Sequence, residues 1–193
     1  MTNVAHILAS FSIGFRHRHE LLRILTATPK KSSILTLDPL ALKAGGIEVL
    51  VLDFDGVLAP HGFPAPLPEA EQWLALNTAV FGAENIFILS NKPTNARKSW
   101  FDKHFTGIRF ISGERKKPFP DGLNKIGELA KVPLSAILMV DDRLLTGCLA
   151  AINAGARTFY VRRPFTSLSR NPVADLFFQI IRIMERGIVR LVT

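Results

Sequence analysis

The sequence contains a single cysteine, Cys148, among its 193 residues. One thiol excludes an internal disulfide and a cysteine-rich zinc site, so we expect a reducing interior. The chain also lacks a spanning segment near its start, because the uncharged stretch there ends at Phe15 and a bilayer requires about 20 apolar residues. Arg16 and Arg18 follow that stretch instead of preceding it, which is not the order of a secretory signal. The length fits one folded domain.

The middle of the chain carries no net charge. Residues 47–160 hold twelve Lys and Arg against twelve Asp and Glu, so the net charge of +8 lies in the two flanks. Basic flanks favour anionic partners such as lipid headgroups or nucleic acid. We therefore divide the chain into a basic N-terminal segment (1–46), a central domain (47–163) and a basic C-terminal segment (164–193).

Short apolar runs alternate with longer helix-like segments from Ile47 onward. This alternation is typical of an α/β fold in which helices cover a parallel sheet. Strands are predicted at 47–52, 85–89, 108–111, 136–140 and 158–161, and helices at 69–80, 94–104, 120–130, 146–153 and 173–192. The strands are nearly continuous in apolar residues, so we expect both of their faces to be buried. Such sheets bind ligands at the carboxyl ends of their strands.

Two aspartates, Asp53 and Asp55, come directly after the first predicted strand, and Gly56 follows them. A carboxylate at a strand tip can attack phosphorus and form an aspartyl-phosphate, while a second carboxylate protonates the leaving oxygen and then activates water. Neighbouring carboxylates repel each other, so a divalent cation is expected to keep the nucleophile ionised. Taken alone, the pair is equally compatible with a helix cap or a calcium-like loop.

Three further polar clusters follow along the chain. Ser90 and Asn91 end the second predicted strand and offer a hydroxyl and an amide to phosphate oxygens. Of two adjacent lysines, Lys117 precedes a proline and is the better candidate for a cation that points inward. Asp141 and Asp142 end the fourth predicted strand and add two carboxylates. Four polar clusters at successive strand ends indicate one shared site.

In this order the four clusters resemble the motifs of the haloacid dehalogenase superfamily, over about residues 47–161. The resemblance implies a Rossmann-like three-layer α/β fold with a central parallel sheet. It also implies that Asp53 is the nucleophile and Asp55 the general acid and base. Superfamily members that cleave carbon–halogen bonds lack the second aspartate, so Asp55 favours phosphate chemistry. The remaining implied contacts are Ser90 and Asn91 to phosphate and Lys117 to the transferring phosphoryl group. Those to Mg²⁺ are Asp53, Asp141, Asp142 and, through its backbone carbonyl, Asp55.

A narrower resemblance lies in residues 140–147 together with residues 162–164. These are similar to the capless branch that includes the phosphatidylglycerophosphate phosphatases of bacteria and mitochondria. In that branch a glycine stands where this chain has Asp141, and an aspartate stands where it has Gly147. The difference leaves open which of Asp141 and Asp142 is the closer metal ligand. It also leaves open whether Asp141 supplies the carboxylate that position 147 lacks.

The spacing of the clusters leaves no room for a cap domain. Only 36 residues separate Asp55 from Asn91, and 26 separate Asn91 from Lys117, which the helices and strands of the sheet nearly consume. An open site suits a phosphate that projects from a membrane. We therefore expect dephosphorylation of phosphatidylglycerophosphate. The alternatives are a soluble sugar, nucleotide or nucleic-acid-end phosphatase and a binding protein without turnover.

The flanks predict amphipathic helices. Residues 173–192 carry Arg182, Arg186 and Arg190 at helical spacing among apolar residues. Such a helix lies in a membrane interface with its arginines towards headgroups, or it packs on the sheet with its arginines in solvent. The run from Val4 to Leu25 allows the same two arrangements. We expect a cytoplasmic protein at the inner face of a membrane, or on the mitochondrial matrix side in a eukaryote, and nucleic acid remains an alternative partner.

Overall fold

The fold is that of a computed structural model, which describes residues 12–91, 93–112, 115–167 and 169–193. Its strands are β1 (Val49–Leu52), β2 (Ile86–Leu89), β3 (Arg109–Ile111), β4 (Ile137–Asp141) and β5 (Arg157–Tyr160). They form one parallel sheet in the order β3-β2-β1-β4-β5. The predicted α/β class with a central parallel sheet is confirmed, and each strand lies within two residues of its predicted bounds.

Helices cover both faces of this sheet. Besides a helical stretch at residues 12–16, the helices of the described residues are α1 (Arg18–Ala27), α2 (Pro39–Ala44), α3 (Pro68–Phe81), α4 (Asn95–His104), α5 (Asp121–Ala130), α6 (Leu149–Ala154) and α7 (Pro172–Leu191). Side chains of β1 alternate between the faces, as the period of a strand requires. Leu50 and Leu52 pack in a core with residues of α3 and α4. Val49 and Val51 pack in a second core with residues of α5 and α6. The molecule therefore has three layers.

The central strand β1 lies between β2 and β4. Leu52 pairs with Ile88 on one side and with Val140 on the other. The amide of Asp53 donates a hydrogen bond of 2.9 Å to the carbonyl of Val140, which extends the pairing by one residue. The carboxyl ends of these three strands are therefore level, so the residues that follow them meet at one edge of the sheet.

The two edge strands differ from the prediction. The expectation that every strand is buried on both faces is wrong for β3 and β5, where Arg109 and Arg157 are exposed. An edge strand has a neighbour on one side only, and exposed charges there hinder pairing with other chains. Arg157 also donates a 2.6 Å hydrogen bond to the carbonyl of Gly45. Full burial holds for β1, β2 and β4.

The helix predicted at residues 146–153 starts with a π-helical turn instead of an α-helical one. Residues Leu144–Cys148 form a π turn, and α6 follows directly. The amide of Cys148 donates to the carbonyl of Arg143 at 3.2 Å, a hydrogen bond that spans five residues. Single π turns occur frequently at functional sites. Here the turn begins two residues after Asp142.

The two flanks pack on the central domain and on each other. Leu21 and Leu25 of α1 share a core cluster with Val189 of α7 and with Cys148 of the π turn. The predicted N-terminal run begins at Val4, so its residues 4–11 lie outside the described residues. In the part of the chain that is described, no helix is both long and apolar enough to cross a membrane.

Candidate active site

Asp53 and Lys117 lie at the centre of the edge formed by the carboxyl ends of the strands. The ammonium of Lys117 donates to Oδ1 of Asp53 and to Oδ2 of Asp141, each at 2.7 Å. Burial alone would lower the pKa of Lys117, but the carboxylates of Asp141 and Asp53 outweigh burial and hold it above the usual value. Lys117 is 6% exposed, which confirms that it points inward. It therefore stays cationic between two carboxylates.

Asp142 is paired with Arg182 from α7. Nε of Arg182 donates to Oδ2 of Asp142 at 2.6 Å, and Nη2 contacts the same oxygen. Arg182 is 2% exposed, and among the described residues its Nη1 has no hydrogen-bond partner. The expectation that Arg182 faces headgroups or solvent is wrong, because the helix turns this side chain towards the sheet. The C-terminal segment therefore supplies a cation to the site.

Asp55 lies apart from the other aspartates and is held by Arg97 of α4. Nη2 and Nη1 of Arg97 donate to the two carboxylate oxygens of Asp55 at 2.6 and 2.9 Å. The amide of Gly62 donates to the same carboxylate at 3.1 Å. Arg97 is positioned in turn by the carbonyl of Phe63, which accepts from its Nε at 2.9 Å. Two oxygens bound in this way fix the direction of the carboxylate.

Ser90 and Asn91 follow β2 at the same edge. The side-chain oxygen of Asn91 accepts a 3.1 Å hydrogen bond from the backbone amide of Lys117, so it joins two of the predicted clusters. Ser90 is buried, at 5% exposed. The structure thus brings Asp53, Lys117, Asp141, Asp142 and Asn91 together at the strand ends.

Two glycines make room for the aspartates at this edge. Gly56 has a φ of +82°, and a Cβ there would lie 2.3 Å from Oδ2 of Asp142. A Cβ at Gly147 would lie 1.8 Å from Oδ2 of Asp141. Residues 56 and 147 must therefore be glycine as long as the carboxylates of Asp142 and Asp141 lie where they do. The carboxylate of Asp141 occupies the space that a side chain at position 147 would fill.

The aspartates fit a divalent metal ion. One oxygen each of Asp53, Asp141 and Asp142 lies within 4.8 Å of the other two, and carboxylate oxygens are the ligands that Mg²⁺ prefers. The four carboxylates and three cations described above leave one net negative charge when all are ionised. The carboxylate of Asp55 does not belong to this group. Its predicted metal contact, through the backbone carbonyl, stays a prediction.

Burial raises the pKa of two candidate metal ligands, Asp53 and Asp142. It raises the pKa of Asp53 to about 6, although the charge of Lys117 opposes the shift and that of Asp141 adds to it. Burial likewise raises the pKa of Asp142 to about 7, against the opposing charge of Arg182. Without a metal ion, ionising these carboxyls is therefore costly even beside Lys117 and Arg182. A divalent ion at this position would supply the missing positive charge.

The sequence did not indicate Arg97 as a residue of the site, and it did not lead us to expect Arg182 to point towards the site. Arg97 lies in a helix whose polar residues give no sign of which one points inward. The signal for Arg182 was present, because Asp175, Arg182 and Glu185 lie at spacings of seven and three on one helical face. All three are buried, at 0%, 2% and 5% exposed. A charged stripe on an amphipathic helix is normally assigned to solvent, which concealed this inward face.

Comparisons with known proteins extend these observations. A family model described as haloacid dehalogenase-like hydrolase matches residues 7–155. Among curated proteins, none matches the chain. An uncharacterized protein from Corynebacterium glutamicum is similar at 19% identity and a TM-score of 0.48, over 70% of this chain and 95% of that one. A HAD-superfamily hydrolase of subfamily IA from Geobacter sulfurreducens is similar at 16% identity and a TM-score of 0.41, over 60% and 87%.

Proposed function

Because the chain belongs to the haloacid dehalogenase-like hydrolases, we propose that it is a magnesium-dependent phosphomonoesterase that acts through an aspartyl-phosphate on Asp53. The observation that carries this proposal is the contact of Asp53 with Lys117, 2.7 Å long, next to Asp141 and Asp142. A carboxylate nucleophile, a cation for the phosphoryl oxygens and two further carboxylates for a metal are the groups that phosphoryl transfer requires.

In the proposed first step, a carboxylate oxygen of Asp53 attacks phosphorus and the bond to the leaving oxygen breaks. Asp55 gives a proton to that oxygen and in the second step takes one from water, which cleaves the aspartyl-phosphate and releases inorganic phosphate. Lys117, Ser90 and Asn91 bind the phosphoryl oxygens. Bound Mg²⁺, held by Asp53, Asp141 and Asp142, would offset the negative charge of nucleophile and phosphate. Asp55 must exchange its contact with Arg97 for the substrate.

We propose phosphatidylglycerophosphate as the substrate. Three features support it: the resemblance of residues 140–147 and 162–164 to the phosphatases of that lipid, the two basic flanks, and the short segments that connect β1, β2 and β3. Within the described residues, the segment between β1 and β2 holds one irregular loop and α3, and that between β2 and β3 holds α4. Neither segment forms a lid domain over the strand ends.

A binding protein that lacks turnover is a second candidate. The arginine contacts of Asp55 and Asp142 favour it, because both carboxylates are already paired. The two candidates differ in one measurable property, which is catalytic release of phosphate.

The test is phosphate release from phosphatidylglycerophosphate in mixed micelles, with and without Mg²⁺. We expect magnesium-dependent release by the native chain and none by Asp53→Asn, which keeps the size of the side chain but loses the nucleophile. Asp102→Asn is the matched control, since Asp102 is exposed on α4 and outside the site. Turnover of soluble phosphomonoesters without lipid turnover would discard the substrate and keep the chemistry. Absence of turnover with every phosphomonoester would favour the binding protein.

A further inference from the structure

The outer face of α7 is apolar over most of its length. Six large side chains at spacings of three or four, or adjacent, line this face and are between 49% and 81% exposed. We name them the apolar ridge: Val173, Leu176, Phe177, Ile180, Ile183 and Met184. Exposed apolar surfaces of this kind on a folded domain mark sites where another surface binds.

The opposite face of α7 is fixed against the domain. Arg182 reaches Asp142, and Glu185 accepts from Nε of Arg143 at 2.8 Å and from the amide of Leu144 at 3.0 Å. These buried contacts prevent α7 from rotating about its axis. The apolar ridge therefore cannot turn inward to join the core while they are present.

The charges around the apolar ridge select the kind of surface that it binds. All residues of α7 are described, and its two carboxylates, Asp175 and Glu185, are both buried on the inner face. Arg170 before the helix and Arg190 in its last turn are exposed. A second copy of the chain would bring like charges together at such an interface. A surface that is apolar inside and anionic outside matches both features.

The N-terminal flank adds to the same end of the helix. The hydroxyl of Thr193 lies 3.5 Å from the carbonyl of Arg18, so the start of α1 is next to the end of α7. Phe15 is 59% exposed there and lies 4.5 Å below the guanidinium of Arg18, and Arg16 is exposed beside it. The two basic flanks, far apart in the sequence, thus converge in the fold.

We propose that the apolar ridge of α7, with the arginines at its ends, docks the protein on an anionic lipid bilayer. The helix lies in the interface with the ridge among the acyl chains and Arg170 and Arg190 against lipid phosphates. This inference goes beyond the proposed phosphatase, since docking requires neither turnover nor a particular substrate. It assigns opposite tasks to the two faces of α7, lipid contact outside and contact with Asp142 inside.

The experiment is co-sedimentation of the full chain with vesicles of phosphatidylcholine, with and without about 30% phosphatidylglycerol. The vesicles contain no phosphomonoester, so failure of the proposed phosphatase does not affect the result. We expect binding to the anionic vesicles that weakens when salt rises from about 0.1 to about 0.5 M. Binding to neither kind of vesicle, or equal binding to both at all salt concentrations, would overturn the proposal.

Substitutions that place negative charge on the apolar ridge distinguish lipid docking from a general effect of surface charge. Phe177→Asp with Ile183→Asp should weaken binding to anionic vesicles at least about tenfold, because charge enters the acyl region. The matched control is Leu40→Asp with Leu76→Asp, two leucines that are 67% and 63% exposed elsewhere. It makes the same change in net charge and should bind nearly as the native chain does. Equal binding by both double variants overturns the proposal.

Two further measurements complete the test. Arg170→Gln with Arg190→Gln should reduce both the affinity for anionic vesicles and its dependence on salt, and an unchanged salt dependence would contradict the role of the arginines. Light scattering gives the mass of the chain without lipid. A native dimer that the ridge variant dissociates, together with no vesicle binding, would assign the apolar ridge to a second copy instead. Unchanged melting temperatures show that the variants fold.

Discussion

Asp141 and Gly147 act as one unit in this site. The carboxylate of Asp141 accepts from Lys117 and fills the space where a side chain at position 147 would begin. A side chain at position 147 and the carboxylate of Asp141 therefore cannot occupy this space together.

We predict that exchanging the residues at positions 141 and 147 restores the activity that each single substitution removes. Gly147→Asp alone should lower kcat/KM for a phosphomonoester at least about tenfold, because its side chain collides with Asp141. Asp141→Gly alone should also lose activity, since Lys117 then lacks one of its two partners. The double variant should recover most of the loss, giving strong non-additivity. Additive losses would show that the two positions act independently.

Arg182 is predicted to stabilise the metal-free protein and to compete with the metal ion. Arg182→Gln leaves Asp142 buried without its cation, which should cost about 3 kcal/mol or more of unfolding free energy. It also makes the site more negative, so Mg²⁺ should stabilise the variant at lower concentrations than the native chain. Thermal melts over a magnesium titration measure both effects. Arg190→Gln, exposed on the same helix, is the control and should change stability by less than about 0.5 kcal/mol.

At the scale of elements, the start of α4 positions a residue of the site. Thr94 is the N-cap, and its hydroxyl accepts a 3.3 Å hydrogen bond from the amide of Arg97, the residue whose guanidinium holds Asp55. A helix start without such an acceptor leaves an amide unpaired. The cap therefore links helix stability to the orientation of Asp55.

Thr94→Ala should destabilise the protein by about 1 kcal/mol, and Thr94→Ser should retain most of the native stability because serine caps equally well. Urea unfolding of the three chains measures this difference. If the alanine and serine variants unfold at the same urea concentration, the hydroxyl does not contribute and the structure of this turn must differ.

The elements show which features a sequence can specify. The five strands were predictable because buried runs such as residues 49–52 are apolar and are separated by helix-like segments. The exposure of Arg109 and Arg157 was not, because strand order, and hence which strands are edges, depends on contacts between distant segments. The π turn at Leu144–Cys148 was also missed, since no residue type there marks one added backbone residue.

The site was predictable to a similar extent. Asp53 follows β1, Asp141 is the last residue of β4, and Lys117 lies in the segment after β3. The topology of parallel sheets brings such positions together. The partners of Asp55 and Asp142 come from helices, and the sequence does not show which side of a helix with mixed polarity faces inward. Arg97 and Arg182 therefore required the structure.

For the molecule as a whole, we predict that stabilisation by Mg²⁺ grows with pH. Asp53 and Asp142 have folded-state pKa values of about 6 and about 7, above the ordinary 3.8. The folded state thus holds protons that the unfolded state has released, and without metal its stability falls as pH rises from about 4 to about 7. The metal binds the ionised carboxylates and offsets this loss. Its effect on the melting temperature should be larger at about pH 8 than at about pH 5.

The control for this prediction is Asp142→Asn, which removes one of the two titrating ligands. Its metal-free stability should depend less on pH over the same range. A magnesium shift that is equal at both pH values in the native chain would contradict the proposed cation site.

The position of the only thiol makes the protein its own reporter. Cys148 is fully buried in the π turn, with Sγ 3.9 Å from the carbonyl of Asp141, and burial raises its pKa well above the usual value. A thiol reagent can therefore modify it only when this turn opens. The rate of modification would therefore measure how often this turn opens. Anything that binds Asp141 and Asp142 should slow that rate, whether or not a reaction follows.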